Sequence, residues 1–364
     1  MRRRCLSCME ASRASPLRIA VVAPLFESVP PRLYGGTERV VSWLTEELVA
    51  QGHDVTLFAT GDSRTSARLH SVAPQGLRLD DQCRDPAAWH VAMLHDVVER
   101  ARDFDLIHFH TDHAHFPIVR AARLRALTTL HGRLDLPELQ PLFARYPDMA
   151  LVSISDAQRK PLPHAGWLRT IHHGLPRDLL HGHGQRGKYL AFLGRISPEK
   201  GPDRAIRIAR RAGVPLRIAA KVESGDRAYF ESQVKPLLDG PGVEFIGEIG
   251  EHEKDEFLGN ALALLFPIDW PEPFGVVMIE AMACGTPVIA WKRGSVPEVV
   301  EPGVTGWVVE DEHAAVAAVA ACGFFDRNAC RRRFEERFTA ERMAADYAAL
   351  YDELLAATVP RRAA

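Results

Sequence analysis

The sequence predicts an α/β protein made of two doubly wound domains, each built around a parallel sheet. The chain has 364 residues, which is long for one domain and comfortable for two. From Arg18 onwards, short β-branched runs alternate with amphipathic segments, as in βαβ units. The alternation stops at a glycine-rich segment, 181–188, and then starts again.

The first half begins with a βαβ unit. The run "RIAVVAP" (18–24) is typical of a buried strand, and "TERVVSWLTEELVAQG" (37–52) has the apolar spacing of a helix that ends at a glycine. The next strand is predicted at 54–60. Four further strands are predicted at 105–110, 126–132, 150–155 and 169–174.

The second half repeats this pattern after the linker. A helix is predicted from Pro202, a second over about 275–284, and a long final helix over 338–357 that could pack back across both domains. Strands are predicted at 189–195, 215–221, 243–248, 261–267 and 287–291. The predicted organisation is therefore a leader (1–16), an N-terminal domain (17–180), a C-terminal domain (188–337) and the final helix.

The composition excludes several classes of protein. The net charge is -2, with 45 Lys and Arg against 47 Asp and Glu, whereas nucleic-acid binders usually carry a basic excess. No apolar run approaches the roughly 18–20 residues of a membrane span, and residues 1–16 have no apolar signal-peptide core. We expect a disordered leader and a reducing cytoplasm. Metal or redox chemistry at the Cys5–Cys8 pair is the minor alternative.

Two glycine-containing loops are candidate anion sites. Gly35 and Gly36 precede a predicted helix, whose N-terminus favours anions; a plain strand-to-helix turn explains them equally well. In "GRISPEKGP", Gly194 gives clearance, and Arg195 and Lys200 flank a loop before the next helix. A guanidinium, an ammonium and a helix N-terminus can together hold a diphosphate. The alternative is two solvated charges on a loop.

Two glutamates lie eight positions apart in "DWPEPFGVVMIEAMACG". Glu280 shares a helix face with apolar residues, where a carboxylate is costly to bury unless it is hydrogen-bonded. Either backbone amides or a ligand's pair of hydroxyls could satisfy it. Eight helical residues rise about 12 Å, beyond the roughly 5–9.5 Å of a glycosidase's carboxylates. The spacing therefore favours two contacts along one elongated ligand, with Glu272 as the second.

These motifs resemble those of the family 4 retaining glycosyltransferases. "GRISPEKG", "PEPFGVVMIEAMACGTPVIA" and "GSVPEVVEPGVTGWVV" are similar to the C-terminal half of that family, and "YGGTERVVSWLTEELVAQGHDVTLFAT" to the N-terminal half. The resemblance covers roughly residues 17–350. It implies the GT-B fold, in which two Rossmann-like domains hold a nucleotide-sugar in the cleft between them.

The resemblance also implies a role for each matching residue. Arg195 and Lys200 would neutralise the donor's diphosphate, Glu280 would bind the ribose and Glu272 the donor sugar. His131 would face the transferred sugar. Loops and backbone amides would contact the donor at Gly35, Gly36, Gly194, Phe274, Gly275 and Val276, and the base would be read near "FIGE" (245–248), which includes Gly247 and Glu248. Relatives often have a glycine before the lysine that matches Lys221, where this chain has alanine.

The segment "HFHTDHAH" (108–115) has three explanations. The resemblance implies that loops here contact the acceptor, so His110, Asp112 and His113 are candidate acceptor residues. They could instead be ordinary loop or core residues, or imidazoles and a carboxylate could bind zinc. The family implies that no metal or other cofactor is needed, because arginine and lysine neutralise the diphosphate.

The function implied is transfer of a hexosyl group from a nucleoside diphosphate sugar to a hydroxyl, with retention. The acceptor would be a sugar, a glycolipid or another small molecule. The alternatives are an epimerase or phosphorylase of the same fold and a non-catalytic binding protein. A cluster of Arg120, Arg123 and Arg125 could meet anionic lipid, although a solvated helix face also explains it. The oligomeric state stays open.

Overall fold

The computed structural model describes residues 16–32, 35–182 and 187–358. The predicted leader lies outside these ranges except for Pro16, and so do Cys5 and Cys8. Residues 183–186, the centre of the predicted linker, also lie outside them.

The first sheet contains seven strands, all paired in parallel, in the order β3-β2-β1-β4-β5-β6-β7. In its centre, Ile19 lies opposite Val55 on one side and Leu106 on the other. The strands are β1 Arg18–Val22, β2 Asp54–Phe58, β3 Arg68–His70, β4 Leu106–Phe109, β5 Ala126–Thr129, β6 Leu151–Ser153 and β7 Trp167–Thr170.

The second sheet contains six parallel strands in the order β10-β9-β8-β11-β12-β13. The strands are β8 Tyr189–Arg195, β9 Leu216–Lys221, β10 Val243–Gly247, β11 Ala261–Phe266, β12 Val288–Trp291 and β13 Gly306–Val309. Two parallel sheets confirm the predicted pair of doubly wound α/β domains.

The α-helices are numbered in chain order, and the last three follow β13. They are α1 Gly36–Ala50, α2 Pro86–Glu99, α3 Phe116–Ala122, α4 Leu139–Arg145, α5 Asp156–Arg159, α6 Pro202–Ala212, α7 Arg227–Tyr229, α8 Lys235–Leu238, α9 Glu251–Gly259, α10 Val276–Ala283, α11 Val296–Val299, α12 Glu312–Ala321, α13 Arg327–Arg337 and α14 Ala340–Thr358.

The strand order reverses once in each sheet, between β1 and β4 and between β8 and β11. In doubly wound sheets, ligands bind outside the carboxyl ends of the strands at this reversal. Residues that follow or end these strands, including Pro24, His110, Arg195 and Phe266, line one shared cleft. The ligand sites expected at the two strand-order reversals therefore open into the same cleft.

One predicted strand was misplaced. The strand expected at 169–174 is Trp167–Thr170, and the chain then leaves the sheet. The Leu175 amide donates to the Phe338 carbonyl at 3.0 Å, and Leu175 forms a bridge with Thr339. Residues 171–175 therefore form a crossing segment that pairs with the start of the final helix instead of continuing the sheet.

The final helix, α14, packs on the N-terminal domain. Its Tyr351 hydroxyl shares a hydrogen bond of 2.7 Å with Nδ1 of His108, and its Tyr347 hydroxyl lies 2.9 Å from Oγ1 of Thr129. Arg342 donates to the carbonyls of two consecutive residues of the crossing, His172 and His173. The helix therefore contacts both strands β4 and β5 and the crossing segment that follows β7.

We predict that Gly174→Ala destabilises the protein, because a Cβ there would lie 2.1 Å from the Thr339 carbonyl oxygen. The added Cβ is fixed to the Gly174 backbone and the carbonyl belongs to the Thr339 backbone, so they cannot move apart without disrupting the crossing segment. We therefore expect the free energy of unfolding to fall by about 1–3 kcal/mol. The urea midpoint of unfolding measures the effect.

The control is Gly225→Ala, where an added Cβ would meet nothing within 4 Å. Equal midpoints for the Gly174 variant and the wild type would contradict the close approach of the two segments.

Candidate active site

A single cleft of about 1000 Å³ lies between the domains. Most of the candidate residues line it, although they come from segments far apart in the chain. His113 does not line the cleft and is exposed. Gly247 does not line it either, but the next residue, Glu248, does; Gly247 lies at a β-bulge at the end of β10. The candidates in the lining are Gly35, Gly36, His110, Asp112, His131, Gly194, Arg195, Lys200, Glu248, Glu272, Phe274, Gly275, Val276 and Glu280.

Arg195 ends strand β8 and faces three carboxylates. Its guanidinium lies 2.5 Å from Glu199, 3.3 Å from Asp226 and 3.5 Å from Glu223. The side chain is 29% exposed. The guanidinium is thus held at the cleft wall by acidic neighbours before any anion reaches it.

Lys200 forms an ion pair with Glu272, so two of the candidate residues contact each other directly. The Trp270 indole donates to the same oxygen, Oε2 of Glu272, at 2.8 Å. The Lys200 ammonium also lies 5.1 Å from the Trp270 ring centroid and 5.6 Å from that of Phe266, within the range of a cation–π contact. These aromatic rings fix the ammonium just before the N-terminus of α6.

Glu280 is buried, with 3% of its surface exposed, and it pairs with a lysine. Lys254 Nζ lies 2.6 Å from Oε1 of Glu280 and 3.5 Å from Glu251. Burial lowers the pKa of Lys254, while the Glu280 charge opposes that shift. The carboxylate is therefore held by an ammonium, a partner that the sequence analysis did not consider.

Arg39 of α1 extends this group of charges into the N-terminal domain by pairing with Glu251 of α9. Burial lowers the pKa of Arg39, and the Glu280 charge counteracts it. Sequence reasoning missed both Arg39 and Lys254. Arg39 follows the glycine pair closely enough to have been a candidate. Lys254 lies three residues after Glu251, and that spacing indicates only a surface pair.

The helix that holds Glu280 begins at a glycine cap. Gly275 has φ +78°, a left-handed conformation that favours glycine, and α10 starts at the next residue. Phe274 is buried, with its ring 4.9 Å from that of His173. This turn brings the backbone of 274–276 to the cleft while Glu272 and Glu280 face it from either side.

Three histidines stack along the wall of the cleft. Nδ1 of His110 and Nε2 of His131 share a hydrogen bond of 2.8 Å, and the His131 ring stacks on His173 with centroids 5.2 Å apart. Burial lowers the pKa of His131 to about 3, so the ring is neutral near pH 7. One of the two bonded nitrogens carries the hydrogen, and the pair fixes the orientation of both rings.

The rest of the 108–115 segment is mostly structural. His108 bonds to Tyr351 and Thr129, and His115 bonds to Thr128 at 2.7 Å. In the described ranges, no three or more His, Cys, Asp or Glu side chains come together as a metal-binding group. Hydrogen bonds within the fold therefore account for most of this histidine-rich segment.

Two of the three clustered arginines make contacts within the fold. Arg120 pairs with Asp148, and Arg125 donates to the Asp105 carbonyl.

Within the described part of the chain, no helix combines the length and apolarity of a membrane span. Cys83, Cys284 and Cys330 are free thiols.

Buried histidines predict a loss of stability in mild acid. Burial lowers the pKa of His108 and His115 to about 3, and those of His110 and His173 well below 6.5. Below pH about 6.5 the unfolded chain takes up protons that the folded chain does not. The free energy of unfolding therefore falls as pH drops, by up to ~1.4 kcal/mol per pH unit for each ring.

Urea midpoints at about pH 7.5 and 5.5 measure this loss, which should be smaller in a His115→Gln variant. The control is His113→Asn, which changes an exposed ring of the same loop. A wild-type midpoint that is equal at the two pH values would contradict the burial of neutral imidazoles.

Two known families match the chain. Residues 34–159 match the family described as "Glycosyltransferase Family 4", and residues 181–337 match "Glycosyl transferases group 1". The two matches together span most of both domains.

Named relatives agree with these families. A glycogen synthase of Mycobacterium tuberculosis is 24% identical over 87% of this chain and 89% of its own. A D-inositol 3-phosphate glycosyltransferase of Mycolicibacterium smegmatis is 36% identical over 38% of this chain and 30% of its own.

A solved structure shares the whole fold. Anabaena Alr3699/HepE, solved in complex with UDP-glucose, superposes with a TM-score of 0.70 at 19% identity, covering 93% of this chain and all of that one. The similarity supports the two-domain architecture in which the cleft lies.

Proposed function

Because the chain belongs to the family 4 glycosyltransferases of GT-B fold, we propose that it transfers a hexosyl group from a nucleoside diphosphate sugar to an acceptor hydroxyl with retention of configuration. One observation carries this proposal: a single cleft at the carboxyl ends of both sheets brings Arg195, Lys200, Glu272 and Glu280 together. These residues supply cations for a diphosphate and carboxylates for hydroxyl groups on the same wall.

Glu280 is assigned to the ribose. A carboxylate offers about four acceptor sites on its two oxygens, and Lys254 occupies one of them. The remaining sites can accept hydrogen bonds from neighbouring hydroxyls. Hydrogen bonds to a charged acceptor are stronger than those between neutral groups.

The diphosphate is assigned to Arg195, Lys200 and the N-terminus of α6. Lys200 has three N–H donors, so it can keep Glu272 while donating to a phosphate oxygen. Negative charge grows on the diphosphate as its bond to the sugar breaks, and fixed cations stabilise that charge more than the ground state. We propose that these groups replace a metal ion in the reaction.

His131 is assigned to the transferred sugar. Retention follows if the acceptor attacks the sugar on the same face as the leaving diphosphate. The acceptor oxygen bonds to the anomeric carbon as the bond between that carbon and the phosphate oxygen breaks. A phosphate oxygen takes the acceptor's proton. The anomeric carbon gains positive charge in this step. A neutral imidazole beside it avoids the repulsion that an imidazolium would exert.

We predict that Lys200→Ala lowers kcat roughly 100- to 1000-fold, the usual effect of removing one group that stabilises transition-state charge. A thermal-shift panel of UDP-, GDP- and ADP-sugars selects the donor, and release of the nucleoside diphosphate measures turnover. NMR of the glycoside product reports retention or inversion.

Lys235→Ala is the control for that experiment, because Lys235 lies on the surface in a pair with Glu231. Unchanged turnover in the Lys200 variant would remove its catalytic assignment. Conversion of the donor without an acceptor product would instead support an epimerase.

We expect Glu280→Gln to weaken binding of the free nucleoside diphosphate and of the sugar nucleotide alike, by about 10- to 100-fold. The reason is the loss of hydrogen bonds to a charged acceptor, worth about 1.5–3 kcal/mol. Isothermal titration calorimetry measures both affinities.

The matched control is Glu244→Gln, a surface carboxylate paired with Arg217. A melting temperature recorded without ligand separates binding from the stability lost when Lys254 faces an amide. Wild-type affinity in a folded Glu280 variant would exclude the ribose assignment.

A further inference from the structure

We propose that the acceptor is a small molecule with two chemically different parts. One part carries the hydroxyl that reaches His110 and His131, and the other is an apolar substituent that lies on the N-terminal wall of the cleft. This inference rests on the proposed function and names the class of acceptor for the same site. The apolar wall is defined here as Phe26, Ala87, Val91 and Leu94.

Helix α2 supplies most of the apolar wall. Ala87, Val91 and Leu94 follow helical spacing on the side that lines the cleft, and Asp85 caps the helix by accepting from the amides of Ala87 and Ala88. The neighbouring side of the helix packs into the domain core through Met93 and Val97, and Leu94 takes part in both surfaces. The helix is therefore apolar towards the cleft as well as towards the core.

Two large side chains of the apolar wall are open to solvent. Phe26 is 41% exposed and Val91 is 66% exposed, and both line the cleft. Leu79, 50% exposed, directly follows Arg78, whose amide donates to the Phe26 carbonyl at 2.9 Å. Apolar surface that borders a polar site is typical of a ligand-binding groove.

His90 adds a ring to this wall without adding a free polar group. Its Nε2 accepts from the Leu25 amide at 3.2 Å, and its Nδ1 lies 2.8 Å from the Pro86 carbonyl oxygen. Nδ1 therefore carries the hydrogen and both nitrogens are occupied. The ring lies 5.1 Å from that of Phe26, so the two rings form a continuous surface.

The charges near the wall disfavour an anionic acceptor. Arg78 is paired with Glu27, whose carboxylate is 3% exposed, at 3.0 Å. A second buried carboxylate, Glu38, also lines the cleft. An acceptor phosphate that approached Arg78 would also approach the carboxylates of Glu27 and Glu38, whose negative charge offsets the attraction of the guanidinium. A neutral, partly apolar acceptor avoids this difficulty.

The position of the wall matches its proposed use. It adjoins His110 and Asp112 at the end of β4, and His110 bonds to His131, which is assigned to the transferred sugar. A molecule lying on the wall can therefore present a hydroxyl at the deep, polar end while its substituent stays near the mouth.

Alkyl glycosides of increasing chain length test the proposal. Methyl, butyl and octyl β-glucosides, each below its critical micelle concentration, are titrated by calorimetry into protein saturated with the nucleoside diphosphate. Each buried methylene contributes ~0.8 kcal/mol, about fourfold in affinity. With partial burial we expect octyl glucoside to bind at least about tenfold more tightly than the methyl compound.

Val91→Ser and Phe26→Ser should each reduce that dependence on chain length, with the affinity for the nucleoside diphosphate retained as evidence of folding. Leu168→Ser is the control, because Leu168 is a similarly exposed apolar residue, 45% exposed, in strand β7. It should leave the dependence unchanged.

Two results would overturn the inference. One is an affinity for the alkyl glucosides that does not change with chain length. The other is tighter binding of inositol phosphate than of octyl glucoside, if Arg78→Ala abolishes that binding. Neither result bears on donor binding, which the Lys200 and Glu280 variants test separately. The proposed transferase activity can therefore stand while the acceptor class fails.

Discussion

The floor of the cleft depends on one chain of buried charges. Glu280 faces Lys254, Lys254 faces Glu251, and Glu251 pairs with Arg39 of the other domain. A buried charge is tolerated only when an opposite charge and hydrogen bonds compensate its loss of water. The four groups must therefore assemble together. Because Arg39 belongs to α1 and the others to α9 and α10, this assembly requires both domains.

Short-range patterns were enough to predict much of the fold and the site. Buried runs such as 18–22 and 261–266 are parallel strands, as predicted. The loops after the predicted strands were the expected place for ligands, and the structure brings Arg195, Lys200 and Glu272 from such loops to the cleft. Glycine supplied the other reliable signal. Gly275 begins helix α10 in a left-handed conformation that other residues rarely adopt.

The parts that sequence missed depend on contacts between distant segments. Lys254 looks like a surface residue three positions from Glu251, and only the approach of α10 buries it. The strand at Trp167–Thr170 was misplaced because the following residues pair with Thr339 instead of continuing the sheet. His108 looked like a candidate for chemistry, yet Tyr351, 243 positions away, occupies its Nδ1.

The cations of the cleft already face carboxylates. This pairing affects how strongly the cations bind a diphosphate and how well they stabilise the charge that develops on it in the proposed reaction. Arg195 lies near three acidic side chains, and Lys200 pairs with Glu272. Acidic partners weaken the attraction of each cation for a bound diphosphate but hold it in a fixed position. A cation fixed in advance needs little reorganisation when charge develops. Such an arrangement directs more of its stabilisation to bond breaking than to binding, which is the condition for a faster chemical step.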